Sequence, residues 1–390
     1  MRILHVVPTY IPAYRYGGPI YSVHNLCRSL VEKGHEVDVY TTNVDGDQNR
    51  KFIEGEAVDL DGVKVWYFKC PYGRRLYYSP AMMKALREHS KDYDLIHLHS
   101  VFLWPTWAAA RMARRNNVPY LLSPRGMLVK ELIMRKNRIL KTAWITLIER
   151  RNIKEAAVIH LTSEMERKEL SVFDFHLADT VVIPNGVEQP VEWNKNEVSN
   201  DVFAAIKRQP VVLFLGRINW KKGLDRLIKS VQLIHDAHLV IAGNDEEDYL
   251  PKLRLMVSEN NLEGRVSFIP RIISGADKEA LYAAAKVFVL PSYSENFGNT
   301  VPEAMLRGCP VVVTHEVGAA EVVRDSKSGL VVDGDPKKIA NAIRGLLGDE
   351  SEMARMGVAG KLEAESNYTW SKISESMSQL YDSIIDQGNR

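Results

Sequence analysis

The sequence predicts an α/β protein of two doubly wound domains, each built on a parallel sheet and joined near mid-chain. Three observations carry this prediction. Short β-branched runs alternate with stretches of helical period, the alternation occurs twice, and a polar stretch separates the two series. At 390 residues the chain is also longer than one core usually holds. Hydrophobic residues make up 45% and charged residues 26%, a globular composition that argues against disorder.

The first series opens on RILHVV, passes through a turn-rich segment holding Gly17 and Gly18, and enters a helical stretch near Ile20. Val23, Leu26, Cys27 and Leu30 share one face of that helix. EVDVYTT then completes a strand, loop, helix, strand unit. KVWYF, DLIHLHS, PYLLS, AAVIHLT and TVVIPNGV continue the series to residue 187. Residues 188–209, EQPVEWNKNEVSNDVFAAIKRQ, hold no long apolar period and are expected to be a linker. The second series, 210–366, restarts on PVVLFLGRI and runs through HLVIAG, RVSFIP, KVFVLP and PVVVT. The tail, 367–390, reads as an amphipathic helix expected to pack back on the first domain. Open parallel sheets bind ligands outside the carboxyl ends of their strands, so two such domains are expected to bind between them.

Several classes fall away. The formal charge of +2 gives no sign of a nucleic-acid partner. Cys27, Cys70 and Cys309 lack metal-ligand spacing and are expected to be reduced core residues. The opening MRILHVV is broken too soon by Pro8 and Pro12 for a secretory signal, and no apolar run nears the roughly 20 residues of a spanning helix. A cytoplasmic protein is expected, at most peripheral on the inner face of the membrane. Neither half carries Gly-x-Gly-x-x-Gly after its first strand, nor does a phosphate-binding P-loop occur, which disfavours dehydrogenases and P-loop hydrolases.

Other motifs stand in those places. At Gly17-Gly18 bare backbone lets a phosphate or sugar approach amide N–H groups, although a tight turn explains the glycines equally well. In LGRINWKKG, Arg217 and Lys222 are five residues apart across one loop and could face one anion, as a planar fork and a point charge; a solvated basic loop is the plainer alternative. In SENFGNTVPEAML, Glu295 lies in a loop at a strand's carboxyl end and Glu303 in the first turn of a helix starting near Thr300. A first-turn acid is favourable against the helix dipole, which accounts for Glu303 but not for Glu295.

Together, ENFGNTVPE, GRINWKKG, VIPNGV and the Gly17-Gly18 loop resemble retaining glycosyltransferases of the GT-B architecture, family four, over nearly the whole chain. The resemblance implies two Rossmann-like domains facing across a cleft, the first binding acceptor and the second a nucleotide-sugar donor. It implies Arg217 and Lys222 as diphosphate clamps, Glu303 on the ribose hydroxyls, Glu295 on the transferred sugar, and Asn296, Phe297, Gly298, Asn299 and Thr300 lining the donor. His99 matches a position near the reacting anomeric carbon, so that His99, Glu295, Arg217 and Lys222 form the expected catalytic set. His97 is expected on the opposite face of its strand. Arg125 and Asn185 are accessory candidates, and Arg271 and Ile272 fall where backbone groups hold the base. One departure is EVGAAE, where only Gly318 of a usual glycine pair remains.

The implied activity is metal-independent, retaining hexosyl transfer without a cofactor. A UDP-sugar such as UDP-glucose is expected ahead of GDP-mannose as donor, with a saccharide or lipid-linked acceptor in cell-surface or exopolysaccharide synthesis. The stretch 125–154, rich in Arg and Lys among Leu, Ile and Trp, has the composition of a basic amphipathic surface suited to anionic lipid, or of a long helix with a solvated face. Two competing classes are a nucleotide-sugar epimerase of the same plan and a non-catalytic two-lobe sugar-binding protein. An epimerase would rearrange the sugar without passing it on. The binding protein would call for a secretion signal and leaves the Arg-Lys loop unexplained.

Overall fold

The computed structural model describes residues 1–390 apart from 15–16, 47, 54, 129–143, 174–176, 209, 246 and 389–390. Two compact units emerge, Met1–Gly186 with Trp370–Arg390, and Val187–Thr369. No helix among the described residues is long and apolar enough to cross a membrane.

Unit 1 is an eight-stranded sheet. Its strands are β1 (Arg2–Val6), β2 (Glu36–Thr42), β5 (Ala57–Leu60), β6 (Val63–Phe68), β7 (Leu95–His99), β8 (Tyr120–Ser123), β9 (Val158–Leu161) and β10 (Thr180–Val182), with a small hairpin, β3 (Val44–Asp45) and β4 (Gln48–Asn49), set apart. The order is β10-β9-β8-β7-β1-β2-β6-β5, parallel throughout except for β5, which pairs antiparallel with β6 at the edge. The sequence reading has no counterpart for β5, because Ala57–Leu60 is exposed and carries no apolar run. Helix Gly18–Glu32 buries Val23, Leu26, Cys27 and Leu30 against one face of the sheet. The C-terminal helix Trp370–Gly388 covers the same face through Trp370, Ile373, Met377, Tyr381 and Ile384. The opposite face, with Leu4, Ile96, Leu98 and Leu122, packs on the helices Pro80–His89 and Trp104–Arg115.

Unit 2 is a six-stranded, wholly parallel sheet in the order β13-β12-β11-β14-β15-β16. Its strands are β11 (Val211–Leu215), β12 (His238–Ala242), β13 (Val266–Ile269), β14 (Ala285–Leu290), β15 (Val311–Thr314) and β16 (Gly329–Val332). Strands buried on both faces read as continuous apolar runs, as VVLFL and HLVIA do.

The expected linker is not one. Residues 188–209 lie within unit 2, where helix Asn200–Ile206 buries Val202 and Ala205 beside Val198 in the core. Asp201 of the same helix pairs with Arg271 at 2.9 Å. Its apolar residues are too few to show a period, and the segment gains its structure from partners that lie some seventy residues downstream. The part of the basic stretch at 129–143 lies outside the described residues.

Candidate functional site

In unit 2 the expected donor residues gather at the carboxyl ends of adjacent strands. After β11 the chain passes Gly216 and Arg217, and Ile218 N–H then donates to Asn244 O at 2.8 Å, pinning the loop to the one that follows β12. A single 3₁₀ turn, Trp220–Lys222, ends at Gly223, whose φ of 64° is left-handed. A Cβ on Gly223 would also collide with the carbonyl oxygen of Pro291, so glycine serves both the turn and the close approach of the loops after β11 and β14. Tyr293 N–H donates to Lys221 O at 2.7 Å and ties those two loops together.

The loop after β14 is fixed on its other side by the loop after β15. Glu295 N–H donates to Glu316 O at 3.0 Å, Gly318 N–H to Glu295 O at 2.9 Å, and Ala319 N–H to Phe297 O at 2.8 Å. A Cβ at Gly318 would collide with Asn296 O, whereas Ala319 is accommodated, so one glycine suffices here. Gly298, at φ 91°, turns the chain into helix Thr300–Leu306 after Asn299.

The structure places Lys222 and Glu295 in direct contact: the ammonium donates to Glu295 Oε2, with the side chains 14% and 20% exposed. The lysine expected to clamp the diphosphate is therefore paired with the carboxylate expected on the transferred sugar. Glu303 stands apart from that pair and accepts from Tyr282 O–H at 3.2 Å. Arg307, in the next turn, forms a buried bidentate pair with Glu279 at 2.7 and 2.5 Å and also donates to Glu303 O. Arg271 is drawn into an acidic pair, at 3.0 and 2.9 Å from Asp201 and 2.7 Å from Asp277, which holds its guanidinium further above the usual range. Its own N–H donates to Ile269 O, while Ile272 is exposed and its carbonyl accepts from Arg271 at 3.4 Å.

In unit 1, Gly17 is the left-handed residue, at φ 69°, and its C=O accepts from Ile20 N–H at 3.2 Å as the helix begins. Gly18 faces open space. At the far end of β7, His99 is almost fully buried, and Arg125 links it to Asn185: Nη2 lies 3.3 Å from His99 Nδ1, and Nη1 donates to Asn185 Oδ1 at 2.7 Å. Arg125 thus meets the expected catalytic histidine, and Asn185 is joined to it through Arg125.

His97 is not on the opposite face. Side chains alternate along a strand, so residues two apart share a face, and the His97 and His99 rings stack at 4.1 Å. His5 on β1 pairs in register with His97, and Ser123 on β8 with His99. His160 on β9 completes a polar layer, its Nδ1 2.7 Å from Ser123 Oγ. Sequence reasoning passed over His5, Ser123, His160 and Tyr381. The signal for the first three was a polar residue recurring near the carboxyl end of several strands.

Ring nitrogens of His5, His97 and His99 lie within 4.8 Å of one another, a spacing a metal ion could use. The surroundings oppose a cation: both nitrogens of His97 are engaged, by Tyr381 and Ser123 at 2.7 Å, and the Arg125 guanidinium adjoins His99. The residues fit a hydrogen-bonded layer.

Two family models match the chain, one described as glycosyl transferases group 1 over residues 196–363, the other as a glycosyl transferase 4-like domain over 17–186. Among relatives, a D-inositol 3-phosphate glycosyltransferase of Corynebacterium urealyticum is 25% identical across 94% of this chain and 91% of its own. Among solved structures, sucrose-phosphate synthase from Thermosynechococcus elongatus superposes with a TM-score of 0.77 at 22% identity, covering 99% and 100% of the two chains. HepE from Anabaena, in complex with UDP and glucose, gives 0.75 at 20% identity, covering 98% and 100%.

Proposed function

The chain belongs to the group 1 glycosyltransferases, family four of the GT-B architecture, and from that premise we propose that it moves a hexose from a nucleoside diphosphate sugar to a hydroxyl of a saccharide or lipid-linked acceptor in cell-surface polysaccharide synthesis, with retention and without a metal. The observation that carries the reading is the cross-tied pair of loops in unit 2, which brings Arg217, Lys222 and Glu295 to the carboxyl ends of neighbouring strands. UDP-glucose is the donor to try first, since HepE was solved with UDP and glucose, and GDP-mannose next. A phosphorylated cyclitol, named for one relative, is a second acceptor class.

In the proposed reaction the bond from the anomeric carbon to the donor phosphate oxygen breaks as the acceptor oxygen bonds to the same face. The acceptor proton passes to an oxygen of the departing diphosphate, and the nucleoside diphosphate leaves. Arg217 and Lys222 meet the charge that grows on that diphosphate, the role a metal fills in other transferases. Glu303 accepts from ribose hydroxyls and Glu295 from the hexose, and Phe297 to Thr300 line the donor with Asn296.

Calorimetry with UDP-glucose, other UDP-hexoses and GDP-mannose tests the reading, followed by NMR of the anomeric configuration in the product and a repeat with excess EDTA. Binding of one donor class, a retained anomer and full activity in EDTA are expected. No affinity for any nucleotide sugar refutes it, and loss of activity restored by Mg²⁺ refutes the metal-free part.

A further inference from the structure

The polar layer of unit 1 contains two hydrogen-bond relays whose proton positions follow from donor and acceptor chemistry. The first ends on the carbonyl of Ile183, which can only accept, so His160 Nε2, 2.8 Å away, carries the proton. In a neutral ring Nδ1 is then a lone pair, and Ser123 O–H donates to it at 2.7 Å. Ser123 Oγ in turn accepts from His97 Nε2–H at 2.7 Å, and His97 Nδ1 accepts from Tyr381 O–H at 2.7 Å. This relay is closed at both ends.

The second relay starts at Arg125, whose guanidinium has donors and no acceptor. Its Nη2 faces His99 Nδ1 at 3.3 Å, which makes that nitrogen a lone pair and puts the His99 proton on Nε2. His99 Nε2–H donates to His5 Nδ1 at 2.9 Å, so the His5 proton is also on Nε2. That last donor is buried and has no partner among the described residues. Burial is the main cause keeping these rings neutral: His5 and His160 are pushed down to about 3, and His97 and His99 move the same way, with the Arg125 charge adding to the effect.

We propose that Arg125 is a positioning residue that holds His99, and through it His5, in the Nε2–H tautomer, so that His99, the histidine expected near the reacting carbon, has no lone pair with which to take a proton. All four Nδ1 atoms are already hydrogen-bond acceptors, which leaves the layer without a lone pair for a general base. The bearing on sugar transfer rests on the transferase reading; the tautomers do not.

Two-bond ¹H–¹⁵N spectra of histidine-labelled protein at pH 7 test it. All four rings are expected as neutral Nε2–H forms. Finding His99 or His5 protonated on Nδ1, or as imidazolium, overturns the proposal without any variant being made. In Arg125→Met the His99 and His5 signals should become tautomer mixtures while His97 and His160 keep theirs, and Arg125→Lys should restore the single form in part. A purely structural role for Arg125 would leave every tautomer in place.

Discussion

Replacing Glu295 by Gln separates two effects that a simple loss-of-contact argument would merge. Lys222 is held by Glu295, and both side chains are largely shielded from solvent. A diphosphate that recruits Lys222 must displace this carboxylate or bind beside it, and either outcome weakens the gain. Charge-assisted contacts contribute about 1.5–3 kcal/mol, and a neutral amide of the same size keeps part of that. Taking about 1.5 kcal/mol as the relief, UDP or GDP should bind roughly tenfold more tightly to Glu295→Gln than to the unaltered protein. Turnover should fall at the same time if, as proposed, Glu295 accepts from the hexose, since a contact made at the transition state is then lost. Glu303→Gln should instead weaken free nucleoside diphosphate and nucleotide sugar by a similar factor, since Glu303 is held by Tyr282 and is not paired with Lys222. Titration calorimetry with UDP, GDP and their hexose conjugates, alongside steady-state kinetics, reads both quantities. Adding Lys222→Met to Glu295→Gln should abolish the gain in diphosphate affinity. Unchanged or weaker diphosphate binding in Glu295→Gln would show that Lys222 is not the contested group.

Acid should destabilise unit 1. A histidine whose folded pKa lies below its unfolded value of about 6.5 contributes stability that is complete above 6.5 and declines as pH falls toward the folded value. With His5 and His160 both at about 3, each costs about 2 kcal/mol between pH 7 and 5, so chemical denaturation at the two pH values should show a clear loss; equal midpoints would contradict the neutral layer. Tyr381→Phe leaves His97 Nδ1 a buried acceptor without a donor, for which a loss of roughly 1–3 kcal/mol is expected, measurable as a lower urea midpoint at unchanged slope. Gly318→Ala drives a Cβ against Asn296 O and should displace the loop that carries Glu295, weakening nucleotide-sugar binding and lowering the melting temperature; wild-type affinity in that variant would show the tie to be dispensable.

Much of this molecule is legible in its sequence. The apolar runs VVLFL, HLVIA and VVVT are strands because only a buried parallel sheet accommodates such continuous β-branched stretches, and the 3.6-residue period of Val23, Leu26, Cys27 and Leu30 marks a helix face whatever the fold around it. The Gly223 turn and the glutamates at 295 and 303 are local features, set by residues close in the chain. What the sequence could not decide is which distant residues become neighbours. Lys222 meets Glu295 across 73 positions because β11 and β14 are adjacent in the sheet, an order set by the packing of all the crossovers together. Residues 188–209 become part of unit 2 through Asp201 and Arg271. The histidine layer likewise needs β1, β7, β8 and β9 side by side in register, with Tyr381 brought over them by a helix 284 residues beyond His97. A local pattern records which side of an element is apolar; the partner it buries against is chosen by the summed contacts of the whole domain, and proton positions in the layer exist only once that choice is made.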